Sequence, residues 1–205
     1  MIPEFPEFKK LELSDKKEVE KITEKYPPYS DFNFFSMWSW DIYNTVTVSQ
    51  LKKNLIVLFN DYLSGEKFFS FIGEDEIPET VSELISFSKK KYQIDFLRLI
   101  PEEVVNAIPT SMFIVEPDRN SYDYIYSVAH LANMDNWSQN SSGKRVRKFI
   151  RRNINYTIKR FSTYDAPKDE YRKMFKRWAT NKNIDSHFGL NEYKAFERFL
   201  QIEDK

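Results

Sequence analysis

The sequence predicts an α+β fold, and three observations predict it. Three β-rich apolar runs follow one another: Thr45–Val48, Asn54–Phe59 and Lys67–Ile72. The loops between them are short enough for hairpins, so an antiparallel meander is expected. Helical patterns stand before the meander and return after it, as in a mixed sheet with flanking helices.

The elements follow in order. Phe8–Leu13 alternates enough to be a first strand. Ser14 and Asp15 cap a helix, with Glu18 three residues after Asp15 as in a capping box. That helix carries Val19 and Ile22 and stops at Pro27-Pro28. Phe32–Tyr43 reads as a second helix, dense in Phe34, Phe35, Met37, Trp38 and Trp40, which are expected to pack a core. After the meander, Ile77-Pro78 opens a helix to about Tyr92, with Val81, Leu84, Ile85 and Ser88 on one face. Phe96–Ile100 reads as a strand, Pro101-Glu102-Glu103 as the start of a short helix, and Met112–Glu116 as another strand. Tyr122, Tyr124 and Tyr126 alternate, which puts them on one side of a strand, packed in a core or interface.

A short helix near Ala129–Met134 leads to a polar link, Asp135–Ser142, rich in Asn, Ser and Gln. A basic helix, about Gly143–Asn153, comes next. Asn155–Phe161 reads as a strand and Lys168–Asn181 as a helix with Tyr171, Met174, Phe175 and Trp178 at helical spacing. A last helix is expected over Asn191–Gln201. The organisation expected is therefore a first domain over 1–135, a link with the basic helix over 136–154, and the start of a second domain over 155–205.

Composition narrows the chemistry. Eighteen Phe and twelve Tyr give an aromatic-heavy core. The chain has no cysteine, which excludes disulfides, thiolate nucleophiles and cysteine-ligated metals. Four isolated glycines exclude Walker and dinucleotide-binding signatures. The two histidines, His130 and His187, stand in no metal-ligand spacing and beside no nucleophile, so no metal site is expected. The apolar runs are far shorter than a membrane span. Met1–Phe5 shows no basic region followed by an apolar run, so no secretory signal is expected and the location expected is cytoplasmic.

Net charge is zero but unevenly placed. Residues 1–135 hold 14 Lys/Arg against 23 Asp/Glu, a balance of −9, and residues 136–205 hold 17 against 8, a balance of +9. The basic helix concentrates Lys144, Arg145, Arg147, Lys148, Arg151 and Arg152, six cations in nine positions, while Val146, Phe149 and Ile150 form an inward stripe. Clustered cations release counterions from phosphates, so tRNA is one ligand they suit. An anionic lipid surface and pairing with the acidic half are the other two readings. Lys159 and Arg160 extend the patch.

The other candidates are less specific. Asp118 and Arg119 suggest a local ion pair at a turn, and Asp118 or Asp123 suits either a substrate ammonium or structural capping. No catalytic residue can be named.

The segment Asp118-Arg119, Tyr122–Ser127, Leu131-Ala132, Lys144-Arg145 and Phe149 resembles the DUF2156 family, which is similar to the C-terminal catalytic region of phosphatidylglycerol lysyltransferases. Phe8–Lys16 and the Ser30 and Trp38-Ser39-Trp40 segment resemble the same family's N-terminus. The resemblance implies tandem GNAT-like (acyl-CoA N-acyltransferase-like) domains, of which the second, from residue 155, is incomplete here. It implies transfer of an acyl or aminoacyl group, with aminoacyl-tRNA or acyl-CoA as donor and a lipid or another amine or hydroxyl as acceptor. Asp118, Arg119, Tyr122 and Asp123 are then substrate-side candidates. His187, in His187-Phe188-Gly189, falls where an acceptor-side loop is expected and suits an acid/base role. The other function class is a non-catalytic binding module, a degenerate GNAT-like domain that engages a protein or RNA partner.

Overall fold

In the computed structural model, residues 1–61, 64–132, 141–184 and 187–202 are described. The fold is α+β. Its sheet has four strands in sequential order: β1 (Lys9–Lys10), β2 (Thr47–Leu51), β3 (Asn54–Asn60) and β4 (Lys67–Ile72). Every strand pair is antiparallel, with Val48 opposite Val57 and Leu58 opposite Phe69. The expected meander is present. Among the described residues the expected mixed sheet is not, because parallel pairing there is confined to two isolated bridges, Glu4 with Gln50 and Phe69 with Leu97.

Side-chain alternation explains why β3 is apolar throughout. Leu55 and Val57 point to one face, where α1 (Lys16–Thr23) and α2 (Phe34–Trp40) bring Val19, Phe34, Met37 and Trp38. Ile56 and Leu58 point to the other, where α3 (Ile77–Tyr92) brings Ile77, Val81 and Leu84. A strand covered on both faces needs a continuous apolar run.

The start of α1 differs in detail from the expected cap. Asp15 makes no side-chain bond to the α1 backbone. Its buried carboxylate turns back to accept from Glu12 N–H at 2.9 Å and from Lys9 Nζ at 2.8 Å. Glu18 instead accepts from Ile2 N–H at 3.0 Å. Between α3 and β3, the buried Asn54 replaces a loop ladder: it donates to Asp75 O and Thr80 Oγ1 and accepts from Asp75 N–H.

Three expected strands do not form. Phe96–Ile100 meets β4 only at an isolated bridge, through Arg98 N–H to Phe69 O and Ser70 Oγ to Leu99 O, and Leu99 at φ +56° leaves the extended conformation there. Met112–Glu116 and Asn155–Phe161 have strand-like composition but no ladder, and Ile114 and Ile158 are 93% and 86% exposed. Strand propensity is realised only beside a partner edge. The alternating tyrosines meet the same fate: Tyr122, Tyr124 and Tyr126 are exposed and in no core.

Short α4 (Glu102–Val105) and α5 (Val128–Ala132) precede α6 (Ser141–Arg152). Of the expected polar link, residues 135–140 lie outside the described residues. The chain then forms a helical hairpin, α7 (Lys168–Asn181) and α8 (His187–Phe199). Phe175 stacks on Phe196 at 4.9 Å, and Arg172 grips Glu197 through two bonds of 2.9 and 3.0 Å. α8 lies against α2, and Ile202 is buried in the same cluster as Val19, Phe34 and Leu55.

Candidate nucleic-acid interface

α6 presents its cations as a continuous surface. At 100° per residue, Lys144, Arg147, Lys148, Arg151 and Arg152 fall within one arc, and these five line an open depression. Lys144, Arg145, Lys148, Arg151 and Arg152 are exposed, and Arg147 is half-buried. Among the described residues, no ion pair joins Lys144, Arg145, Lys148, Arg151 or Arg152 to a carboxylate. The described carboxylates of the acidic half therefore form no ion pair with these five. The apolar stripe is only partly inward: Val146 and Ile150 are half-buried, while Phe149 is 53% exposed and leans on Tyr156 at 5.6 Å.

The Asp118 segment is built differently. Asp118 accepts from Asn120 N–H at 3.3 Å and Ser121 Oγ at 2.9 Å, holding the single turn Arg119–Ser121. The Ser121 hydroxyl, the Asn120 N–H and nearby Arg98 keep its carboxyl below the usual carboxylate range. Its cationic neighbour is Arg98, at 3.6 Å, rather than the expected Arg119. Asp123 accepts from Ser30 N–H at 3.0 Å and ties the segment to the turn before α2. Tyr122 is exposed. The structure thus gives both Asp118 and Asp123 a role in chain geometry. His187 opens α8, and its side chain lies outside the described residues, as does that of His130.

Sequence reading missed two polar clusters. At the first, burial pushes the Asp31 carboxyl above its ordinary value, and the Asp123 charge adds to this. At the second, Asp41, Arg198 and Trp38 meet between α2 and α8. Burial pushes Asp41 up, against the Thr45 and Val46 N–H groups that stabilise its charge, and burial lowers Arg198. The Asp31–Asp123 and Asp41–Arg198 approaches carry no local signature, because each joins residues far apart along the chain.

Among the described residues there is no cluster of three or more His, Asp or Glu side chains suited to a metal. Among them, too, no helix is long and apolar enough to cross a membrane. No family model and no curated protein matches the chain. The fold is shared with the crystal structure of a conserved protein of unknown function from Bacteroides thetaiotaomicron VPI-5482. That structure matches with a TM-score of 0.68 at 21% identity, over 98% of this chain and 67% of the other.

Proposed function

We propose that the chain is a cytoplasmic protein of DUF2156 type with a GNAT-like fold, acting in acyl or aminoacyl transfer, and that α6 holds the phosphate backbone of a tRNA donor. One observation carries this reading: five exposed cations on one helix that no described carboxylate neutralises. Such a surface gains from counterion release on phosphates, and the Arg forks suit phosphate oxygens. Transfer from a charged carrier depends on holding donor and acceptor in register, and it needs no dedicated nucleophile.

A second reading has its own support. The Asp118 and Asp123 carboxylates are engaged in turn and backbone bonds, which fits a binding module without chemistry at that segment.

Titration of labelled tRNA at several salt concentrations tests the proposal. The double variant Lys148→Glu/Arg151→Glu should weaken binding and lower the salt slope by about 1.4 to 1.8, roughly 0.7 to 0.9 per lost phosphate contact. An unchanged affinity and slope would remove α6 from the reading. Binding without transfer from charged tRNA to any amine or hydroxyl acceptor would favour the module.

A further inference from the structure

We infer that α6 and the turn after it form a platform for unpaired nucleotides, so that the RNA held here is single-stranded. The inference rests on the phosphate-binding reading of α6 and adds what that reading leaves open. Its basis is an aromatic pair set among the cations. Asn153 closes α6 by donating both its N–H and its Nδ2 to Phe149 O, at 3.0 and 2.8 Å. Tyr156 N–H then donates to Asn153 O at 3.0 Å, and this turn folds the Tyr156 ring back on Phe149. The two rings meet at 5.6 Å and 59°, and are 53% and 46% exposed.

Helical spacing places Arg145 four residues before Phe149 and Arg152 three residues after it, so both flank the ring on the helix surface. Both are exposed, as are Lys159 and Arg160 on the ladder-free segment that follows. Half-exposed rings between cations match what a single strand needs: phosphates follow the charge, and a base stacks on a free aromatic face. A paired base offers no free face, so a duplex uses the cations and not the rings. A bilayer would need the apolar stripe of α6, but Val146 and Ile150 are half-buried, which leaves the cations and Phe149 as the accessible surface.

The test compares single-stranded RNA of about a dozen nucleotides, mixed in sequence, with a duplex of equal length, by fluorescence anisotropy. Tighter binding of the single strand is expected. Phe149→Ala and Tyr156→Ala should each weaken it about tenfold and leave duplex binding within about twofold, whereas Phe149→Trp should retain it. Circular dichroism establishes that the variants keep their helices. Equal binding of the two RNAs, or equal losses in the variants, overturns the platform and leaves the phosphate reading standing. Binding of neither RNA overturns both. Phosphatidylglycerol vesicles bound more tightly than the single strand, with loss on Phe149→Ala, would assign the surface to a membrane and overturn the inference.

Discussion

Trp38 and Arg198 hold each other from both ends. The Trp38 indole Nε1 donates to Arg198 O at 3.1 Å, and Arg198 Nε donates to Trp38 O at 2.8 Å. The guanidinium lies 3.9 Å over the indole ring. Residues 160 positions apart thus close the fold, with α8 fixed to the helix that packs on the sheet. The closure is incomplete electrostatically. Arg198 Nη2 and Asp41 Oδ2 are 4.0 Å apart, and both are buried without a hydrogen bond.

Arg198→Ala should therefore destabilise the protein by about 3 kcal/mol. The Nε bond to Trp38 O contributes about 1 kcal/mol and the partly desolvated cation–π contact about 1 to 2, whereas the indole bond to the Arg198 backbone oxygen survives in Ala. Thermal unfolding should shift down by roughly 10 °C, given about 2 to 4 °C per kcal/mol at this chain length. Trp38→Phe keeps a ring beneath the guanidinium but loses the indole donor and part of the buried ring, and should cost at least about 1 kcal/mol. Equal stability of Arg198→Ala and the parent in urea would mean that α8 docks through its apolar residues alone.

Asn54 and Gly73 form a second closure, at the turn from β4 into α3. A Cβ on Gly73 would lie 2.0 Å from Asn54 Oδ1 and 2.8 Å from the Asn54 Cα. Gly73→Ala must displace either the backbone of β3 or the side chain that satisfies Asp75. Asn54→Leu removes the acceptor of the half-buried Asp75 N–H and the donor to Asp75 O and Thr80 Oγ1, and should cost about 2 kcal/mol. The double variant Gly73→Ala/Asn54→Ala should lose less than the sum of the single variants, since Ala removes the Oδ1 part of the clash and leaves only the approach to the Asn54 Cα. Strict additivity in denaturant midpoints would place the strain elsewhere.

Phe69 sits fully buried on the α3 side of the sheet, edge-on to Phe8, Phe87 and Tyr92 at 5.4 to 6.1 Å. Phe69→Ala should cost about 3 to 5 kcal/mol, and Phe69→Leu much less, because the cavity is then mostly filled. Matched losses from both variants would mean that ring geometry, rather than volume, stabilises this face.

Local pattern revealed the parts whose cause is local. The start of α3 is legible because Ile77-Pro78 opens the helix, whereas its close at Gln93, at φ +62°, has no residue signal of its own. β3 is legible because a strand covered on both faces must be apolar throughout. The cations of α6 are legible in the sequence, but periodicity alone turns Phe149 inward, and the turn through Asn153 pairs it with Tyr156 at the surface. Met112–Glu116 and Asn155–Phe161 have the composition of strands, yet no sheet edge reaches them. The Trp38–Arg198 clasp had no local signal, since both residues fit ordinary amphipathic helices.

Asp31 gives the protein a pH dependence with a definite sign. Burial, and then the Asp123 charge, raise its carboxyl above the ordinary value of 3.8. The folded state therefore binds this proton more tightly than the unfolded chain. The contribution of Asp31 to stability falls as pH rises from about 3.8 through the raised folded value, and stays constant above it. Asn keeps the shape without the charge. Asp31→Asn should thus match the parent below the unfolded value, where both side chains are neutral, and exceed it in stability near neutrality. Urea midpoints measured from pH 4 to 7 read the difference directly. A parent more stable than Asp31→Asn at pH 7 would mean that the ionised carboxylate is held by a cationic partner, and that the Asp31–Asp123 repulsion does not govern this turn.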